Sequence, residues 1–260
     1  AGFARVHTSG KFFRLGPQKW YVKGFTYGPF APNCDGQALP GPVQLRNDFA
    51  RIRHLGANTV RLYFPPPASL LDLAHEFGHK VLIDVPWEKH RCFFEDWHAL
   101  ESARRDVRQV AEELGRHPAV FAISVANEFP NDVVRFYGHT RVVRFDDSLL
   151  DIVHQAAPEC LATFANFPTT EFLQPRNVDF HCFNVYLENP ESLGAYLDRL
   201  QHLAGPLPLL LGEHGADSLG MGEPAHPGKL RHDIRGTGRA GPRHRRRRSR
   251  AHGLPARPWH

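Results

Sequence analysis

The sequence predicts an α/β fold, a (β/α)8 barrel whose eighth strand is not visible in the chain. Three observations predict it. Nearly continuous apolar runs alternate with amphipathic helical stretches, the pattern of a parallel sheet covered by helices. Seven such units fall between Trp20 and Glu213, which suits a barrel better than an open doubly wound sheet. The first apolar run is not followed by a glycine-rich turn into a helix, so the dinucleotide-binding alternative lacks its fingerprint.

The elements follow in order. An N-terminal hairpin is expected from strands near Phe3 to His7 and Phe12 to Leu15, with Gly16-Pro17 as a turn signal. The first barrel strand is Trp20 to Tyr27. Helix one, Val43 to Leu55, has Leu45, Phe49, Ile52 and Leu55 on one stripe and Gly56 as its stop. Strand two is Thr59 to Tyr63, helix two Ala68 to Phe77 before Gly78, and strand three Lys80 to Val85. Helix three is Glu101 to Leu114, ended by Gly115, and strand four is Val120 to Asn127. Helix four is Ser148 to Ala156 and strand five Leu161 to Ala165; helix five is reduced to Thr170 to Leu173. Strand six is Val178 to Tyr186, helix six Ser192 to Leu203 and strand seven Leu207 to Glu213.

Composition sets the outer limits. A chain of 260 residues, 42% hydrophobic, can bury a full core as one barrel domain, placed at residues 1–218, with a basic Arg/Gly/Pro-rich tail at 219–260. No run of eighteen apolar residues occurs, so no membrane span is expected. The chain opens without a charged and then apolar leader, so no signal peptide is expected. Cys34, Cys92, Cys160 and Cys182 are scattered and read as reduced thiols, which favours a cytoplasmic location. The formal net charge of +5 belongs to the tail. From Lys229 onward the net charge is +10, so the preceding part is mildly acidic and does not read as a nucleic-acid-binding fold.

Barrels keep their chemistry on the loops after the strands. Here strand four closes on Asn127-Glu128 and strand seven on Gly212-Glu213. Two carboxylates at the mouth of a barrel suit glycosidic bond cleavage, in which one acid protonates the leaving oxygen and one carboxylate attacks the anomeric carbon. A lone glutamate at a strand end is most often a solvated loop residue; two of them, one behind an asparagine, favour the catalytic reading. Glu88 and Asp84 are competing carboxylates, Arg61 could serve any of these as an ion-pair partner, and Trp87 and Tyr27 could simply pack.

These residues resemble a family. Asn127-Glu128 and Glu213 look like the signature of clan A of the retaining glycoside hydrolases. Phe12 to Leu15, Lys23 to Tyr27 and Gly56 to Arg61 are similar to the barrel domain of glycoside hydrolase family 2 and related bacterial barrels. The resemblance runs from residue 12 to about 218. It implies that Glu128 is the acid/base, Glu213 the nucleophile and Asn127 a partner of the sugar 2-hydroxyl. It further implies that Arg61 and Tyr186 orient Glu213, and that Trp87 and His181 line the substrate pocket; Asn166, which closes strand five, is a further expected substrate-binding residue by its position. The chain departs from the clan after strand seven, where an eighth strand is expected and Gly, Pro, His and Arg accumulate instead. Such a composition is what a GC-rich gene yields out of frame, which predicts truncation or frameshift and a homodimer that covers the open barrel edge.

Two motifs are discounted. His75-Glu76-Phe77-Gly78-His79 satisfies the H-E-x-x-H pattern, but Gly78 stops the helix that a zinc site needs, and no metal or other cofactor is expected. Arg245 to Arg248 could bind polyanions nonspecifically; with only Trp259 for stacking, no specific nucleic-acid recognition is expected. The resulting reading is a retaining β-glycosidase or transglycosidase acting on a carbohydrate. The alternatives are a catalytically impaired carbohydrate-binding remnant and a polyanion-binding protein. The sequence leaves glucose, galactose, mannose and glucuronic acid open.

Overall fold

A computed structural model describes residues 4–32, 36 and 38–215. Among these residues the chain forms an N-terminal antiparallel sheet and a seven-stranded parallel sheet. The basic tail, Cys34 and the predicted break after strand seven lie outside the described residues.

The small sheet comprises β1 (Val6–Ser9), β2 (Phe12–Leu15) and β3 (Gln18–Lys19). Its Phe13 ring packs edge-on against Phe180 at 5.0 Å and Phe121 at 6.3 Å, both at the start of barrel strands. Val6, Phe13, Trp20 and Val22 join Leu82, Phe121, Leu161 and Leu210 in one apolar cluster. The hairpin therefore plugs the end of the barrel where the strands begin. This explains a difference from expectation: the first barrel strand is only β4 (Gly24–Thr26), because Trp20 and Val22 turn toward the plug.

The parallel sheet continues as β5 (Thr59–Leu62), β6 (Lys80–Asp84), β7 (Val120–Asn127), β8 (Leu161–Asn166), β9 (His181–Asn184) and β10 (Leu209–Glu213). Hydrogen bonding runs in sequence order from β4 to β10, and these two are the edges among the described residues. This is an incomplete (β/α) barrel. β7 is buried from Val120 to Ala126, as a strand covered on both faces must be.

Helices α1 (Pro42–His54), α2 (Ala68–Glu76), α3 (Trp97–Leu114), α4 (Asn131–Tyr137), α5 (His139–Ala156) and α6 (Pro190–Leu203) connect the strands. α3 begins four residues earlier than expected, because Asp96 caps it: its Oδ1 accepts from the backbone N–H groups of His98 at 3.0 Å and Ala99 at 3.2 Å. The region expected to hold only Ser148 to Ala156 forms α4 and the whole of α5, separated by Gly138 at φ +82°. No described helix is long and apolar enough to cross a membrane, and Cys92, Cys160 and Cys182 are free thiols.

Candidate active site

Each of the two glutamates follows an irregularity in its strand. The register of β7 against β8 shifts between Ser124 and Asn127, and that of β10 against β9 shifts between Leu211 and Glu213. An extra residue in one strand re-aims the side chains that follow it, and here those side chains are Glu128 and Glu213. Gly212 is the extra residue on β10. A Cβ there would lie 2.6 Å from Cys182 Sγ, 2.8 Å from Arg61 Nη1 and 3.0 Å from Asn184 Oδ1, so only glycine lets the strand pass this close. Glu128 itself adopts φ +53°, a left-handed conformation that is uncommon for non-glycine residues.

Arg61, near the end of β5, organises the mouth. Its Nε and Nη2 donate to Asp84 Oδ2 and Oδ1 at 2.6 and 3.0 Å. Nη1 donates to Glu213 Oε1 at 3.1 Å and Asn184 Oδ1 at 3.0 Å, and Nη2 also reaches Asn127 Oδ1 at 3.0 Å. Burial works against the guanidinium charge, but the Asp84 carboxylate outweighs it and holds Arg61 above its ordinary value. Asp84 is therefore the anchor of Arg61. Glu88, the other competing carboxylate, is exposed and pairs with Arg91.

Asn184, at the end of β9, joins the two glutamates. Its Nδ2 donates to Glu128 Oε1 at 2.8 Å, Glu213 Oε1 at 2.9 Å and Asn127 Oδ1 at 2.9 Å. Two oxygens that share one donor at these lengths lie within about 6 Å of each other. On the other side of Glu213, the Tyr186 hydroxyl donates to Oε2 at 2.8 Å. Burial of that hydroxyl and its bond to Glu213 push Tyr186 up to about 12. Tyr63, one residue past β5, is raised further: burial lifts it, Arg61 opposes the rise, and a hydrogen bond to Glu213 adds to it.

The remaining residues expected in the pocket are placed differently. Trp87 donates from Nε1 to the Val125 carbonyl at 2.8 Å, and its ring packs against Phe93, Phe129 and Phe145. Asn166 spends its amide on the loop after β8, donating to the Leu173 carbonyl at 3.2 Å and accepting from the Thr170 hydroxyl at 2.7 Å and the Phe167 N–H at 2.9 Å. His181 opens β9, at the end opposite Asn184, about 10 Å along the strand from the mouth, so it does not line the pocket. Burial lowers its pKa there.

Sequence reading left Asn184, Tyr63 and Lys89 out of the site. Lys89 is buried on the loop after β6; burial lowers its pKa, while Asp84 and Glu128 pull the other way. The H-E-x-x-H residues serve structural roles at the far end of the barrel. Glu76 takes a two-pronged bond from Arg46 at 2.6 and 2.8 Å, and His79 Nε2 lies 3.2 Å from the Phe49 carbonyl.

Among solved structures, the chain is similar to a β-glucuronidase from Bifidobacterium dentium complexed with coumarin-3-O-glucuronide. Sequence identity is 22% and the TM-score 0.68, over 83% of this chain and 36% of that one. It is also similar to a Ruminococcus gnavus β-glucuronidase in complex with D-glucuronic acid, at 20% identity and TM-score 0.70, over 83% of this chain and 38% of the other. A further structure of the Ruminococcus gnavus enzyme gives 21% identity and TM-score 0.69, over 83% and 39%. The chain thus spans well under half the length of these proteins, and the likeness is one of barrel fold. No protein-family profile matches the sequence, and no curated protein sequence does.

Proposed function

We propose that the chain is a retaining β-glycosidase or transglycosidase that works by double displacement. The observation that carries this reading is the Asn184 amide, which donates to Glu128 and Glu213 at 2.8 and 2.9 Å. Two carboxylates held this close leave no room for a water between carboxylate and sugar, and favour direct attack by one of them. Glu213 is the nucleophile. It accepts from Arg61 and Asn184 on Oε1 and from Tyr186 on Oε2, three donors that fix the direction of its carboxylate.

In the first step Glu213 attacks the anomeric carbon while Glu128 gives its proton to the bridging oxygen, and the leaving group departs as an alcohol. In the second step Glu128 takes a proton from water, or from an acceptor sugar hydroxyl, as that oxygen attacks the glycosyl ester and frees Glu213. Asn127 is fixed by Arg61 and Asn184, which suits it to meet the sugar 2-hydroxyl. The fold neighbours are β-glucuronidases, so a β-glucuronide stands first among the substrates to test.

The test is turnover of nitrophenyl β-glycosides of glucose, galactose, mannose and glucuronic acid. With Glu213→Ala, turnover should vanish on every substrate, and azide should not restore it with retained configuration. With Glu128→Ala, substrates with good leaving groups should survive and respond to azide. Equal residual activity in both variants across leaving groups would sink the assignment. Binding of sugars without any turnover would favour the carbohydrate-binding remnant.

A further inference from the structure

Three exposed rings stand on segments that follow β7, β8 and β9, and Trp97, 65% exposed, opens α3 after β6. Phe136 is 73% exposed on α4 after β7, Phe172 is 51% exposed after β8, and Tyr186 is 61% exposed after β9. Tyr186 has its role at Glu213. The two phenylalanines have no polar group to explain their position, and large apolar side chains left in water forfeit the gain of burial.

Neither ring sits on a loose loop. The residues on both sides of Phe172 are anchored: Glu171 accepts from Arg199 Nε at 2.8 Å and from the Tyr196 hydroxyl at 2.9 Å, and Leu173 is 1% exposed with its carbonyl bonded to Asn166. The His139 ring meets Phe172 edge-on at 6.4 Å. Phe136 meets Tyr137 edge-on at 4.9 Å, and Arg141 stacks over Tyr137 at 5.2 Å and Phe94 at 4.6 Å. Two aromatic surfaces are thus held out to solvent by rigid neighbours. Such preorganised rings, on segments that follow the C-terminal ends of β7 and β8, suit a ligand with flat apolar faces, and the C–H faces of β-linked pyranose rings are of that kind.

Position selects the part of the substrate they would meet. Both segments leave from β7, which delivers Glu128, or from β8, which pairs with it, and neither leaves from the Glu213 strand. On the reading above, Glu128 protonates the oxygen that links the attacked sugar to the next unit. We propose that Phe136 and Phe172 form a stacking platform for the leaving-group side of an extended β-linked oligosaccharide. The proposal rests on the acid role of Glu128 and adds to it a substrate class, chains rather than single terminal sugars.

The experiment is calorimetric titration of the full chain carrying Glu213→Gln with β-linked oligosaccharides of glucose, mannose and galactose, two to five units long. In at least one series, affinity should rise about tenfold between two and four units, the equivalent of about 1.4 kcal/mol from two aromatic contacts. That rise should disappear in Phe136→Ala/Phe172→Ala and return in Phe136→Tyr/Phe172→Tyr. Affinity independent of length, a rise unchanged in the double alanine variant, or no binding in any series would overturn the proposal. Failure of the catalytic reading is read separately: the wild-type chain would turn over no nitrophenyl glycoside while the length-dependent binding persisted.

Discussion

Arg61 and Asp84 form a buried two-pronged ion pair, with both side chains 4% exposed and N–O distances of 2.6 and 3.0 Å. The pair fixes the plane of the guanidinium, and that plane aims the remaining N–H groups at Glu213, Asn184 and Asn127. Asp84→Asn keeps the shape and removes the charge. Breaking one side of a buried pair costs about 3–5 kcal/mol, which urea unfolding should register. In protein that still folds, kcat should fall more than KM rises, because the lost interaction acts through Glu213. Stability within about 1 kcal/mol of wild type would show that Arg61 has another anchor.

Gly212→Ala should be far more damaging than alanine substitution elsewhere on the strand. The added methyl meets Cys182, Arg61 and Asn184 at 3.0 Å or less, and two of these hold the glutamates. A displacement of about 1 Å in such groups costs roughly a hundredfold in rate. Pairing it with Cys182→Ala relieves only the sulfur contact. The double variant should therefore recover melting temperature without recovering kcat, and equal recovery of both would contradict the close-approach argument.

Asp146 should be a source of instability. It lies within α5 at 1% exposure, and neither carboxylate oxygen has a hydrogen-bond partner. Burial first, and then the neighbouring Asp147, raise its pKa well above the ordinary carboxylate range. A raised acid favours the folded state when protonated. Its contribution is therefore fully present below the unfolded pKa of about 4 and is lost as pH rises toward the folded value. Asp146→Leu should raise stability at neutral pH by at least about 1 kcal/mol and flatten the acidic part of the stability curve. Unfolding midpoints at pH 4 and pH 7 check both effects.

His154 and Asp179 carry the opposite dependence. Nε2 lies 2.9 Å from Oδ2, and this hydrogen bond first of all raises the histidine pKa. A raised base stabilises the fold below its unfolded pKa of about 6.5, and the effect is lost as pH rises through the folded value. The side chains are 34% and 30% exposed, so solvent screening limits the gain to about 1 kcal/mol or less. His154→Gln should lower stability at pH 5.5 and leave it unchanged at pH 9.

The strand ends were legible because parallel barrel strands are buried on both faces and read as unbroken apolar runs. A carboxylate directly after such a run, as at Glu128 and Glu213, has little to hide behind. The long helix α5 was harder to read: Val142, Phe145, Leu149 and Val153 keep helical spacing, but the buried Asp146 interrupts the apolar stripe. Asn127, Asn166 and Asn184 all close strands and look alike in sequence. Only the position of the loop after β8 decides that Asn166 serves Thr170 and Leu173 while Asn184 serves the glutamates. His181 misled for a related reason, since where a strand begins decides which end of the barrel a residue faces, and β9 starts three residues later than its apolar run.

Glu128 holds its carboxylate in place through a backbone conformation that suits glycine or asparagine better than glutamate. Either replacement would relax the chain by roughly 1 kcal/mol or more, and either would remove the carboxylic acid. Selection for thermal stability alone would therefore drift toward losing this residue, and a screen for hardier variants should return inactive proteins changed at position 128.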